Sequence, residues 1–119
     1  MSEQEQILAL LASQSPDDIR EGAYLAGKKR MQEALPALVE HISTNNIAVQ
    51  EAVERALFKI GGPKVVEAAI PLLRSDDAPT RNTAMELLRR LGSSNIEALT
   101  RLLRDDDPDI RIFTSDILG

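Results

Sequence analysis

The sequence predicts an all-α fold made of four successive pairs of helices. Three observations predict it: a pattern that recurs about every thirty residues, apolar positions spaced by three and four within each repeat, and no stretch that alternates with a period of two. Hydrophobic residues make up 43% of the 119 residues, but aromatic ones only 3%. This composition, rich in leucine, isoleucine, alanine and valine, suits closely packed helices in one compact domain.

The period is clearest at one position in each helix pair, called the anchor here. The anchors are spaced by 30, 31 and 30 residues, and they are Arg20, Gln50, Arg81 and Arg111. An apolar residue or threonine precedes each anchor, and small or branched residues follow it at three and six positions. A spacing kept over the whole chain predicts four repeats, with the bounds 1–31, 32–62, 63–92 and 93–119.

Each repeat is predicted to hold a first helix (helix A), a polar turn and a second helix (helix B) that starts near the anchor. The predicted A helices are 3–13, 33–43, 63–74 and 94–104, and the predicted B helices are 16–30, 46–60, 78–91 and 108–118. Acidic residues before two B helices can cap free N–H groups, and they are Asp76, Asp77, Asp106 and Asp107. Pro71 should kink the third A helix, because proline removes one helical hydrogen bond.

Composition excludes several classes of protein. Without cysteine the chain has neither disulfides nor thiolate metal sites. The formal net charge of -5 argues against nucleic-acid binding, which usually needs a basic face. No apolar run approaches the roughly 20 residues that span a bilayer, and the acidic start does not resemble a signal peptide. We therefore expect a soluble cytoplasmic protein that binds neither membranes nor nucleic acid.

No constellation of residues suggests catalysis, a cofactor or a metal site. His41, the only histidine, follows Glu40, but a di-iron site needs several ligands that converge from different helices. It stands at an offset shared with three leucines, so a buried structural role is predicted. The serines are placed mostly to cap helices, and residues 61–64, GGPK, are too short for a phosphate loop. The sequence predicts a protein that is not an enzyme.

Two segments carry a resemblance to a known family: residues 72–81, LLRSDDAPTR, and residues 102–111, LLRDDDPDIR. They resemble the core of short HEAT repeats, most of all the variety of roughly 30 residues found in phycobilisome-lyase-like proteins. The resemblance is weaker in the first repeat, where Gly22 and Gly27 interrupt the helix, and in the second, where Gln50 replaces the basic anchor.

The resemblance implies a right-handed α-α superhelix, the α-solenoid, with A helices on the convex side and B helices on the concave side. It also implies a protein-binding scaffold whose partner is unspecified. Two alternatives stay open: an accessory subunit of a bilin lyase or related enzyme and, ranked last, a DNA-binding protein.

We expect the partner to bind the concave face of the B helices. The candidate partner-binding residues are those that the repeat places outward on these helices: Tyr24, Glu54, Phe58, Met85, Arg89 and Ile112. Several are large and apolar on a face that need not be so, which is typical of contact surfaces. For Phe58, packing on a neighbouring helix is at least as well supported as contact with a partner. A second set is predicted to form a structural ladder of aspartate and arginine between neighbouring repeats: Arg20, Asp76, Arg81, Asp106 and Arg111.

The last repeat is expected to have an uncovered apolar end. It carries Ile110, Ile112, Phe113, Ile117 and Leu118, and solenoids need terminal repeats with polar outer faces. The sequence therefore suggests the N-terminal part of a longer repeat protein or, alternatively, self-association through this repeat.

Overall fold

All 119 residues are described in the computed structural model, and every regular element in it is helical. The predicted all-α fold class is thereby confirmed. The chain divides into two compact units, unit 1 (Met1–Gly61) and unit 2 (Gly62–Gly119). Each unit contains two helix pairs, so the structure keeps the predicted alternation of a first helix, a turn and a second helix.

Unit 1 contains four α-helices, namely α1 (Glu3–Ala12), α2 (Pro16–Lys28), α3 (Leu35–Glu40) and α4 (Ile47–Ile60). A short 3₁₀ helix, Gln32–Ala34, leads into α3. Helix α2 is central, because it packs against both α1 and α4. The core consists of side chains with at most 1% exposure from all four helices, among them Ile7, Leu11, Ala26, Leu38, Val53 and Leu57.

The second A helix is shorter than the predicted span 33–43. It begins as 3₁₀ and becomes α-helical only at Leu35, because Pro36 has no N–H and is tolerated only in a first turn. It ends early as well, since the His41 N–H donates to the Leu38 carbonyl, 3.1 Å away, in a tighter turn.

Gly22 and Gly27 do not interrupt α2, contrary to the sequence-based expectation. The helix runs through both, and both are buried. A Cβ atom on Gly22 would lie 3.0 Å from Leu10 Cβ and 3.1 Å from the Leu11 nitrogen. A Cβ atom on Gly27 would lie 3.0 Å from the Cα of Ala56 in α4. The two glycines therefore let α1 and α4 approach α2 closely, and this packing compensates for the poor helix propensity of glycine.

Helix α2 ends in a Schellman motif. The Met31 N–H donates to the Ala26 carbonyl at 2.9 Å, and the Arg30 N–H donates to the Gly27 carbonyl at 3.1 Å. Arg30 has φ of 50°, a left-handed conformation that glycine usually occupies at this position. Met31 is buried directly after it, as the apolar contact of this motif requires. The motif satisfies the last carbonyl groups of α2 and turns the chain toward α3.

Unit 2 repeats the arrangement with α5 (Pro63–Ala69), α6 (Ala78–Leu91), α7 (Ile96–Leu102) and α8 (Pro108–Leu118). Two 3₁₀ helices, Ile70–Arg74 and Gly92–Asn95, extend α5 and precede α7. Helix α6 packs against α5 and both 3₁₀ helices, and α8 packs against α7. The core of unit 2 contains Val65, Val66, Ala84, Leu87, Leu88 and Leu99, each at most 2% exposed.

Pro71 changes the hydrogen bonding of the third A helix at the point where the sequence predicts a kink. The α-helical hydrogen bonding of α5 stops at Ala69, and residues Ile70–Arg74 continue as a 3₁₀ helix. Proline lacks the N–H that would bond to the carbonyl four residues earlier, so the tighter helix replaces the α-helix there.

The apolar residues of the last repeat are better covered than the sequence suggests. Ile110 and Phe113 are buried at 5% and 9% exposure, and Ile117 and Leu118 are half-buried. Only Ile112 is largely exposed, at 61%. One face of α8 packs within unit 2, whereas Ile112 lies on the opposite face.

Candidate functional site

The turn between helices A and B has the same hydrogen-bond arrangement in all four repeats. In each turn a side-chain oxygen accepts a hydrogen bond from the backbone N–H two residues later. The acceptors are Ser13, Thr44, Ser75 and Asp105, at 3.0, 3.2, 3.1 and 2.9 Å. This local bond fixes the turn, and the residue that donates the N–H is the N-cap of the B helix. These four acceptors were missed in the sequence, although their spacing of 31, 31 and 30 residues follows the repeat.

Two of the four aspartates predicted as caps act as caps. Asp77 accepts from the Thr80 N–H at 3.0 Å and Asp107 accepts from the Asp109 N–H at 2.9 Å. Their preceding neighbours, Asp76 and Asp106, are exposed. In the second repeat Asn46 takes the same role, accepting from a backbone N–H at 3.1 Å. Only one acidic residue of each pair stands where its oxygen reaches the free N–H groups.

The anchor arginines contact their own turns, which differs from the expected ladder between repeats. Arg81 Nη1 donates to the Ser75 carbonyl at 2.7 Å, and Arg111 Nη1 donates to the Asp105 carbonyl at 2.5 Å. Arg20 instead pairs with Asp17 at 3.6 Å, both exposed. The difference arises because the first repeat has one more residue between the N-cap of α2 and its first buried position. Arg81 and Arg111 therefore stabilise the turns of their own repeats.

Neighbouring repeats are joined by other polar groups within each unit. In unit 1, His41 Nε2 lies 2.6 Å from the Leu11 carbonyl, thirty residues away. In unit 2, Arg74 forms an ion pair with Asp105, and Asn95 donates to the Pro63 carbonyl at 3.2 Å. His41 is half-buried at the end of α3 rather than buried in the core, and its ring contacts backbone. No group of three or more histidine, aspartate or glutamate side chains is arranged to hold a metal ion.

The outward face of unit 1 presents one large aromatic side chain. Tyr24 is 55% exposed, and the Lys59 ammonium lies 5.9 Å from its ring centroid. Glu54 and Phe58, also predicted as contact residues, are half-buried. The packing alternative for Phe58 is therefore consistent with its position. Beside Tyr24, a shallow cleft runs between α2 and α4.

The outward face of unit 2 is apolar with mixed charges. Met85 is half-buried and lines an open depression with Phe113 and Ile110, whose charged rim consists of Arg81, Asp107 and Asp109. The guanidinium of Arg89 lies 5.3 Å from the Phe113 ring centroid. Ile112 stands apart on α8 as the most exposed large apolar residue of this unit.

Exposed apolar side chains also occur away from these faces. Ile47 and Ile96 are 70% and 50% exposed, and each is the first residue of its helix. At a helix start a side chain has few neighbours, so these two need no functional explanation. Tyr24 and Ile112 lie within their helices, so exposure at a helix start does not explain them.

Paired helices, joined by equivalent turns and linked one repeat length apart, define an α-helical repeat protein. No helix in it is both long enough and apolar enough to cross a membrane. A family model described as HEAT repeats matches residues 5–89, and the chain belongs to this family. No curated protein matches the sequence significantly.

Proposed function

We propose that this protein is a non-catalytic scaffold that binds a partner protein on the outward faces of its B helices, α2, α4, α6 and α8. The observation that carries the proposal is the exposure of large apolar side chains within those helices: Tyr24 at 55% and Ile112 at 61%. Exposed aromatic and branched side chains of this kind are enriched in protein interfaces. Membership of the HEAT-repeat family supports the same role, because such repeats commonly mediate protein interactions.

The test is affinity capture of partner proteins with the wild type and with the double variant Tyr24→Glu/Met85→Glu. We expect the variant to lose the specifically captured protein while its circular dichroism spectrum stays helical, because Tyr24 is exposed and Met85 is only half-buried. A matched control, Gln4→Glu/Thr100→Glu, places the same charges on exposed positions of A helices. Unchanged capture by the first variant, or equal loss in the control, would count against the outward faces of the B helices.

Self-association is separated from capture of a different chain by the mass in solution. If Ile112 joined two copies of the protein, Ile112→Glu would convert a dimer into a monomer, since a charge cannot be buried there without a partner. If the wild type is monomeric at all accessible concentrations, the partner is a different protein. A coloured ligand that co-purifies with the wild type would instead favour the accessory role in bilin attachment.

A further inference from the structure

The cleft between α2 and α4 differs from the rest of the outward face in shape and in charge. Its floor is formed by small residues from both helices, and its rim by larger ones. The floor residues are Ala23, Gly27, Ala52 and Ala56, and the rim residues are Tyr24, Arg55 and Lys59. The cleft is shallow and partly open to solvent, with a volume of about 30 Å³. Both charged residues of the rim are cations, although the protein as a whole carries a net charge of -5.

We propose that this cleft recognises an acidic peptide segment of the partner, with a carboxylate held by Arg55 and Lys59 and a neighbouring apolar side chain on the small-residue floor. The inference rests on the proposed scaffold function and specifies the chemistry of its partner. Three observations carry it: the shallow floor of small residues, the two cations and the aromatic side of the cleft.

The floor consists of small residues at positions where unit 2 has large ones. Seven residues after the anchor, the first repeat has Gly27 where the third has Leu88. Two residues after the anchor, the second repeat has Ala52 where the fourth has Phe113. Leu88 and Phe113 are buried in unit 2. At Gly27 the helices α2 and α4 are instead in direct contact, since a Cβ atom there would lie 3.0 Å from the Ala56 Cα. The floor is therefore shallow, with Tyr24, Arg55 and Lys59 as its rim.

The charge of the rim is also specific to unit 1. Arg55 lies five residues after its anchor, where the fourth repeat has Asp116. The ion pairs seen in this unit use other cations, since Arg20 pairs with Asp17 and Lys29 pairs with Glu3. Lys59 lies in the last turn of α4, where it also suits the helix dipole, but Arg55 lies in the helix middle and gains nothing from it.

Tyr24 forms the third part of the cleft. Its ring lies near the Lys59 ammonium and is more than half exposed, so one side of the ring is available to a ligand. A tyrosine offers a flat apolar surface and a hydroxyl group that donates to a carboxylate or a carbonyl oxygen. An aromatic side chain beside two cations fits an acidic residue that is followed by an apolar one.

A peptide fits this surface better than a nucleic acid does. Glu21 and Glu51 are exposed one turn before Tyr24 and Arg55 on the same two helices. These carboxylates would repel a continuous polyanion, whereas a peptide carries its acidic groups at separate positions. The depression of unit 2 is a poorer candidate, because Asp107 and Asp109 offset the charge of Arg81.

The experiment titrates the isotope-labelled full chain with a synthetic peptide in which glutamates flank a central leucine, and with the same peptide carrying glutamines. We expect the NMR amide shifts to concentrate at Ala23, Gly27, Ala52 and Ala56, and the glutamine peptide to bind at least about tenfold more weakly, because the charged contacts are lost. Raising the salt concentration should weaken the binding of the glutamate peptide but not that of the glutamine peptide. Equal binding of the two peptides, or shifts centred elsewhere, would overturn the inference.

Two pairs of substitutions test the residues. Arg55→Gln/Lys59→Gln alters exposed side chains and leaves the core unchanged. It should lower the affinity for the glutamate peptide by about tenfold. The matched control, Arg101→Gln/Arg104→Gln, removes two exposed cations from unit 2 and should change affinity by less than about twofold. Equal losses in the two variants would show non-specific attraction and contradict the proposal.

A single-stranded oligonucleotide that binds the cleft more tightly than the glutamate peptide would also overturn the inference in favour of a nucleic acid. The inference and the scaffold function fail separately. If no acidic peptide binds the cleft but Tyr24→Glu/Met85→Glu still loses the captured partner, the acidic chemistry is wrong and the scaffold stands. If partner capture is insensitive to that variant, the scaffold proposal fails whatever the peptide does.

Discussion

Replacing Gly22 by alanine sets helix propensity against packing. In an exposed helix, glycine to alanine stabilises by about 1 kcal/mol. Here the added Cβ would meet Leu10 Cβ and Leu11 Cγ at 3.0 Å each and the Leu11 backbone nitrogen at 3.1 Å. Overpacking of this kind costs about 1–3 kcal/mol, and backbone yields less easily than a side-chain end. The difference of the two terms is a net destabilisation of about 1 kcal/mol, with packing as the larger effect.

The measurement is thermal and urea unfolding followed by circular dichroism. A loss of about 1 kcal/mol in a chain of this size lowers the melting temperature by about 4 °C. Asn82→Ala is the matched control, since Asn82 is exposed in the middle of α6 and its substitution should stabilise by about 0.5 kcal/mol. A Gly22→Ala variant as stable as the wild type, or more stable, would refute the claim that this glycine is required for close packing of α1 on α2.

Two further predictions concern helix ends. Arg30→Gly should raise the free energy of unfolding by about 0.5–1 kcal/mol, because glycine adopts the left-handed conformation at φ of 50° without a Cβ clash. Urea unfolding measures this free energy, and a destabilised variant would contradict the reasoning. Asp77→Ala should lower the same quantity by about 1 kcal/mol, because the Thr80 N–H loses its acceptor. Asp76→Ala, one residue earlier at an exposed position, is its control and should change stability little.

The starts of the B helices could be predicted from the sequence, because several independent signals coincide there. At α6 the cap Asp77, Pro79 in the first turn and the apolar period all indicate the same start, and the structure begins that helix at Ala78. At α8, Asp107 and Pro108 do the same. Each signal reports a local hydrogen-bonding need of the backbone, which does not depend on the rest of the fold.

The A helices and the contacts between helices could not be predicted in the same way. The second A helix was predicted too long, since no residue in 41–43 forbids a helix and only the 3₁₀-type bond of His41 shows where it ends. Gly22 and Gly27 look like helix breakers until the distance to the neighbouring helix is known. That distance is a tertiary property, and a single sequence does not contain it in readable form.

The same limit applies to the candidate site. Tyr24 and Ile112 were found from the repeat alone, because a helical period fixes which positions lie away from the core. Arg55 was not among the candidates, since the repeat shows only that it is exposed. Its place in the proposed site depends on the small residues beside it, which form the floor of the cleft between α2 and α4.

The four equivalent turns bear on how such a chain tolerates change. Serine, threonine and aspartate all supply the first oxygen, and asparagine and aspartate both serve as the side-chain cap that follows. What the backbone requires is a short side chain with an acceptor atom, so the repeats can differ residue by residue while each turn keeps its geometry. Sequence identity between repeats can thus be low at the very positions that keep their architecture the same.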